Sequence, residues 1–181
     1  MIIYDYVDYL IPVLERMYYK RLKGYKRIGY LCRTQADPGA NNTGMIYDQN
    51  EFVSVFDEDL GKNHQEIIIS SPFVSRMRVE AIIGVIQRIE TNNCRIRIMT
   101  RPANDYPTEI QEKIAVSISR LESAGIKVIQ TAGLFSKFAV IDQEIVWFGD
   151  VDFLSKSKED AYVLRFENRG VAMELVKRVG L

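Results

Sequence analysis

Histidine is almost missing from this chain. Among 181 residues there is one, His64, which excludes any mechanism that needs a histidine pair within one chain, histidine being the usual acid–base group near neutral pH. Cysteine is nearly as scarce. Cys32 and Cys94 are too few for a disulfide framework, and a hydrophobic fraction of 47% can form a core without staples, so a reducing compartment, the cytoplasm, is expected. Neither sign of charge is in excess. With 24 basic and 24 acidic residues, no global field draws the chain to nucleic acid or membrane, and any such attraction rests on local patches. No apolar run approaches the roughly 18 residues of a membrane span. The opening "MIIYDYVDYL" has acids where a signal peptide carries positive charge. The expectation is a soluble, intracellular protein with no membrane partner.

A chain of this length buries one ordinary core with a small appendage. Its first fifty residues differ from the rest. "RMYYKRLKGYKRIGYLCR", residues 16–33, holds seven basic residues, no acid and four tyrosines. Pro12 can open a helix there, because its fixed φ suits a first turn. "TQADPGANNTG", 34–44, is dense in turn formers and reads as a linker. The division expected is therefore a basic helical extension and linker over 1–45 and a main domain over 46–181. In the extension, Lys20, Arg21, Lys23, Lys26 and Arg27 are candidate nucleic-acid contacts, cations for phosphates with tyrosines to stack on bases; a solvated helix face or a docking segment is the plainer alternative.

From residue 45 the pattern becomes regular. Asp48 with Glu51 resembles a capping box, and Phe52, Val55 and Phe56 follow at helical spacing. "EIIISSPFV", 66–74, reads as a buried strand ended by Ser-Pro. His64, just before it, reads as a solvated turn residue. Val79, Ile82, Ile83, Ile86 and Ile89 recur at three and four residues and give a helix, at whose start Arg76 and Arg78 are exposed cations or ligand contacts. "CRIRIMTRP" alternates as a strand. Pro107 opens a helix carried by Ile110, Ile114, Ile118 and Leu121, with Gly125 as its stop. "IKVIQ", "KFAVI", "EIVWFG" and "AYVLRF" read as strands and "GVAMELVKRV" as a last helix. The fold class expected is α/β, a mixed sheet flanked by helices.

The chemistry-bearing stretch is "LFSKFAVIDQEIVWFGDVD", 134–152. Lys137, then Asp142 after four residues, then "IVWFG" and an acidic pair, resembles the phospholipase D superfamily motif His-x-Lys-x4-Asp with its downstream Gly-Ser-x-Asn. "EIIISSPFVS", "TRP", "IQEKIAVSISRLESAGIKVI" and "SKEDAYVLRFEN" extend the resemblance over roughly 46–181. They look like the single-motif domains at the ends of bacterial helicase-like and restriction-associated proteins.

The resemblance implies a sandwich of that family's type and a site with known parts. In active members the motif histidine attacks phosphorus, and a second one, from another repeat or a dimer partner, protonates the leaving group. Here Phe135 holds the nucleophile's position, and a phenyl ring has no lone pair to attack with. Lys137 stands where the family sets a cation against phosphate, or else in a salt bridge with a neighbouring carboxylate. Asp142 lies between two strands and reads as a turn residue capping backbone amides. Asp150 and Asp152 replace the Ser and Asn, and carboxylates repel a phosphodiester in a partly desolvated cleft by several kcal/mol. Glu159 and Asp160 add acids near the family's acidic position. Asp150, Asp152 and Glu159 are oxygen ligands of the kind Mg²⁺ or Ca²⁺ prefers, but their spacing matches no metal loop and carboxylates paired with Lys137 are commoner, so neither metal nor cofactor is expected. The function expected is a degenerate, non-catalytic accessory or binding module, associated with nucleic acid and with a helicase-like or DNA-processing parent chain; the alternative is a phosphodiesterase or nuclease using another nucleophile. A homodimer is expected through the face carrying 135–152, with Phe135, Trp147 and Phe153 as its apolar surface.

Overall fold

A computed structural model describes residues 17, 18, 20, 21 and 23, 44–88, 94–157 and 160–180. The chain divides into two compact units, Met1–Gly39 and Ala40–Leu181. In the first, the described residues Met17, Tyr18, Lys20, Arg21 and Lys23 are helical.

Among its described residues the second unit is a seven-stranded mixed sheet with four helices. In chain order these are β1 (Met45–Asp48), α1 (Gln49–Leu60), β2 (Glu66–Ser70), α2 (Arg76–Ile86), β3 (Arg95–Thr100), a 3₁₀ turn (Ala103–Asp105), α3 (Thr108–Ser123), β4 (Lys127–Gln130), β5 (Phe138–Ile141), β6 (Ile145–Gly149), β7 (Tyr162–Glu167) and α4 (Arg169–Arg178). Across the sheet the order is β1-β7-β6-β5-β2-β3-β4. The β2, β3 and β4 strands are parallel, joined by the helical crossovers such pairs need, and the other neighbours are antiparallel.

Local signals start the elements. Asp48 accepts from the amides of Asn50 and Glu51 while the Glu51 carboxylate accepts from the Asp48 amide, a complete capping box. Ser75 caps α2 and Asn168 caps α4 by side-chain bonds alone, accepting from the amides of Arg78 and Val171. Ile89, expected on α2, lies outside the described residues. The β1 strand was not foreseen; it pairs with β7 from Met45↔Arg165 to Asp48↔Tyr162.

Successive strand residues point to opposite faces, and both faces are covered. Ile67, Ile69, Ile98, Ala139, Ile141, Trp147 and Val163 pack with Phe52 and Phe56 of α1, Val79 and Ile82 of α2, and Ile114, Ile118 and Leu121 of α3. Ile68, Phe138, Val140 and Val146 pack on the other face with Ala172, Leu175 and Val176 of α4. Burial on both sides explains why "EIIIS" is a continuous apolar run rather than an alternating one.

Trp147 and Phe153 correct the apolar surface expected around Phe135. Both are fully buried, and they pack edge-on against Phe52 and Phe56 with ring centroids 5.1–5.8 Å apart. A second correction concerns Arg78, which is buried. Its guanidinium forks onto the Asp57 carboxylate at 2.8 and 2.6 Å and its Nε donates to the Phe153 carbonyl at 3.1 Å, so it fastens α1 and the 150–154 segment to α2 instead of standing as an exposed cation. Arg76 is exposed.

Candidate functional site

The C-terminal ends of β2, β3 and β6 and the N-terminal end of β5 share one edge of the sheet, because β5 runs against both of its neighbours. Ser70 stands opposite Met99 and Phe138, and Phe138 opposite Phe148. The loops leaving that edge bring Phe73, Arg101, Phe135, Lys137 and 150–152 into one region, where strand ends of α/β sheets present ligand groups. The 150–154 segment is fixed there by backbone. Val74 and Leu154 form a parallel bridge, Ser75 donates its amide to the Leu154 carbonyl at 2.8 Å, and the Leu154 amide donates to Ser71 Oγ at 3.2 Å.

Lys137 is occupied. Its Nζ donates to Asp152 Oδ2 and to the Asp150 carbonyl, each at 3.0 Å. Asp152 is 8% exposed, and its Oδ1 has no partner among the described residues. Burial pushes the Asp152 carboxyl up, outweighing the hydrogen bond and charge of Lys137 and the charge of Arg101. Asp150 offers Lys137 its backbone carbonyl, with its residue exposed. Ser70 and Ser136 hydrogen-bond to each other at 2.9 Å, and Ser70 Oγ also donates to the Ser136 carbonyl at 2.8 Å. The side-chain hydrogen bonds found for these two hydroxyls are to each other and to the Ser136 carbonyl. Glu159 lies outside the described residues, and Asp160 is exposed. Among the described residues no group of three or more His, Cys, Asp and Glu could hold a metal ion.

Phe135 is 77% exposed. The guanidinium carbon of Arg101 sits 4.3 Å from its ring centroid and 5.0 Å from that of Phe73, while Arg101 Nε donates to the Leu134 carbonyl at 2.6 Å. Sequence reasoning assigned no role to Arg101 or Phe73. The available signal was position: both follow strands that end at this edge, Arg101 directly after β3 and Phe73 soon after β2.

Asp142 is elsewhere. The four residues of β5 separate it from Lys137, which at about 3.3 Å per residue puts it near the opposite edge of the sheet. Asp142 and Gln143 have φ of 51° and 53°, the left-handed central pair of the turn joining β5 to β6, which the Glu144 amide closes by donating to the Ile141 carbonyl at 3.1 Å. Asp142 Oδ1 accepts from the amides of Gln65 and Glu66 at 2.8 and 2.9 Å, so the amides it caps belong to the start of β2. Its Oδ2 accepts from His64 Nδ1 at 2.8 Å, and His64 Nε2 lies 2.6 Å from the Asp59 carbonyl. His64 is therefore buried rather than a solvated turn residue. Its polar sequence neighbours concealed partners supplied by α1 and by the β5–β6 turn. Both partners are acceptors, so both bonds form together when each ring nitrogen carries a proton. Burial alone would raise the Asp142 carboxyl; the two amides and His64 outweigh it and hold it below its usual value.

Of the basic candidates, Lys20 and Lys23 are exposed and Arg21 is half-buried, its guanidinium 5.9 Å from the Tyr18 ring centroid. Lys26 and Arg27 lie outside the described residues. No helix among the described residues is long and apolar enough to cross a membrane.

Residues 56–175 match the family model described as the cardiolipin synthase, PLD-like domain. Among solved structures, the phospholipase D family member Nuc from Salmonella typhimurium has TM-score 0.61 at 10% identity, covering 76% of this chain and 91% of its own. NucT from Helicobacter pylori has TM-score 0.57 at 16% identity over 76% and 93%. TrmBL2, an archaeal chromatin protein with a novel mode of DNA binding, has TM-score 0.51 at 12% identity over 91% and 58%. None of the curated proteins matches the chain. At these identities the structures establish a shared fold.

Proposed function

The chain belongs to the family of phospholipase D-like domains, and on that premise we propose that it is a non-catalytic binding module whose partner is nucleic acid, working within a larger helicase-like or DNA-processing protein. The observation that carries this reading is the Lys137–Asp152 pair at 3.0 Å. The cation that would meet a phosphate is already neutralised by a buried carboxylate, and separating such a pair costs about 3–5 kcal/mol. An incoming phosphodiester would bear that cost and then meet the negative charge of Asp150. Electrostatic stabilisation at the transferring phosphorus, commonly the largest catalytic contribution, has no free cation in Lys137.

The nucleophile points the same way. Phe135 stands where the resemblance sets a histidine, and His64 is the only histidine of the chain. It lies beside the opposite edge of the sheet, bonded through both ring nitrogens, so it cannot serve as a substitute in either copy of a dimer. Binding rather than cutting is supported by the basic, tyrosine-bearing run 16–33, which suits phosphates and bases. The fold is compatible with such a role, since TrmBL2 shares it and binds DNA.

The test joins two measurements. Incubation with bis-p-nitrophenyl phosphate and with an end-labelled oligonucleotide should give neither product nor phosphorylated protein. The same oligonucleotide should bind with an affinity that falls steeply as salt rises, and changing Lys20, Arg21, Lys23, Lys26 and Arg27 together to Gln should remove that binding. Turnover abolished by Lys137→Ala would overturn the non-catalytic reading. Salt-independent binding, or binding indifferent to the fivefold change, would overturn the assignment of the basic segment.

A further inference from the structure

At the edge that holds Lys137, four groups form a ladder. Tyr106 meets Phe73 edge-on with centroids 6.1 Å apart, and the Arg101 guanidinium lies over both the Phe73 and the Phe135 rings. The inner rungs are fixed. Tyr106 is buried and its hydroxyl donates to the Pro72 carbonyl at 2.7 Å, while Arg101 is tied to Leu134. The outer rung is open, because Phe135 has one face against Arg101 and is still 77% exposed. Holding a large apolar ring in water this way loses the free energy that its burial would release, and an open aromatic face of this kind is what a planar ligand stacks on.

We infer that Phe135, backed by Arg101 and Phe73, is a stacking platform for an unpaired base of a single-stranded nucleic acid, so that the position where the resemblance sets a nucleophile grips the strand. The inference rests on the reading of the chain as a nucleic-acid module and adds the part of the strand that this site takes. Charge selects a base over a phosphate here. Lys137 is cancelled by Asp152 and Asp150 is exposed nearby, which repels a phosphodiester but leaves a neutral ring face unaffected. Arg101 behind the ring adds a cation–π contribution to the stack. The same charge argues against a second copy of this chain as the occupant, since a two-fold contact centred on Phe135 repeats every group across its axis and would bring two Arg101 guanidinium groups together. Every base has a π face, so the platform tolerates any sequence and requires only that the base be unpaired.

The experiment measures binding, by fluorescence anisotropy at one fixed salt concentration, of a labelled oligothymidylate, an abasic strand of equal length and a duplex. Wild-type protein should hold the oligothymidylate more tightly than the abasic strand or the duplex. Phe135→Ala should weaken oligothymidylate binding about 5- to 150-fold, the range for one base–aromatic stack, and should leave the abasic strand unaffected; Phe135→Trp should restore the preference. Because Phe135 is exposed, both variants should keep the wild-type urea midpoint. Equal affinity for the oligothymidylate and the abasic strand, or Phe135→Ala binding like wild type, overturns the platform while salt-dependent binding leaves the module reading standing. Failure to bind any strand overturns both. Light scattering completes the test: a dimer that Phe135→Ala dissociates assigns the ring to a second copy and overturns the platform.

Discussion

Asp59 is expected to be the most sensitive charged position in the main unit. It lies near the end of α1, almost fully buried, and gathers three donors: Arg165 through Nε at 2.5 Å and Nη2 at 3.4 Å, Lys62 at 2.9 Å, and the Trp147 indole at 3.2 Å. Burial alone would raise its carboxyl, but the hydrogen bonds from Arg165 and Lys62, with their charges, outweigh it and hold it below the usual value. Asp59→Ala leaves the mostly buried Arg165 guanidinium with only the exposed Glu167 carboxylate at 3.5 Å and a fully buried indole N–H without an acceptor. Breaking a buried pair from one side costs about 3–5 kcal/mol. By contrast the exposed pair Arg178–Glu174 contributes at most about 0.5 kcal/mol. Urea unfolding reports the difference through Trp147, the sole tryptophan, with far-UV circular dichroism as a second probe because the substitution touches the indole itself. With a slope of about 2 kcal/mol per molar, a loss of about 4 kcal/mol moves the midpoint down by about 2 M. Asp59→Leu combined with Arg165→Met should recover much of that loss, because the charges then left unpaired, Lys62 and Glu167, are exposed. A midpoint shift below about 0.5 M for Asp59→Ala, or a double variant no better than the single one, would refute the reasoning.

Asp142 should make stability depend on acid. Its folded carboxyl titrates below its unfolded value, so the stabilisation is fully present above the unfolded value near pH 4 and is lost as pH falls through the folded one. The gap in urea midpoint between wild type and Asp142→Asn should therefore close as pH drops below about 4, and a gap that stays constant would disprove the linkage. Gly149→Ala should destabilise by about 1–3 kcal/mol. A Cβ there would lie 2.7 Å from the Val163 Cα, directly across the β6–β7 pair, so a thermal midpoint equal to wild type would show that the two strands part more easily than their register suggests.

The elements most legible in the sequence were those with local causes. The capping box at Asp48, the isoleucine period of α3 and the hairpin turn at Asp142 depend on residues within a few positions of one another, and the structure holds all three. What stayed hidden had distant causes. "MIYD" is too short to show an alternation and is immediately followed by a helix start; its strand exists because β7, more than a hundred residues on, supplies hydrogen bonds. His64 sits among Gly, Lys, Asn and Gln, and only the β5–β6 turn and the end of α1 bury it. Trp147 and Phe153 looked like a surface patch because their partners, Phe52 and Phe56, come from a helix some ninety residues earlier.

The spacing of Lys137 and Asp142 suggested one reactive cluster, whereas the geometry gives two. A four-residue strand between them sets the lysine at one edge of the sheet and the aspartate near the other. Asp142 ties the β5–β6 turn to the start of β2 and, through His64, to the end of α1. None of those bonds touches Lys137. Substitutions at the Lys137 edge can therefore accumulate without loosening the turn. Phe135 is exposed, Asp150 gives Lys137 only its carbonyl, and Asp152 pairs with Lys137. The Asp142 network is held by its own bonds at one edge, and the four residues of β5 keep it apart from the Lys137–Asp152 pair at the other. A change of side chain at the Lys137 edge therefore leaves the turn, the start of β2 and the end of α1 tied together.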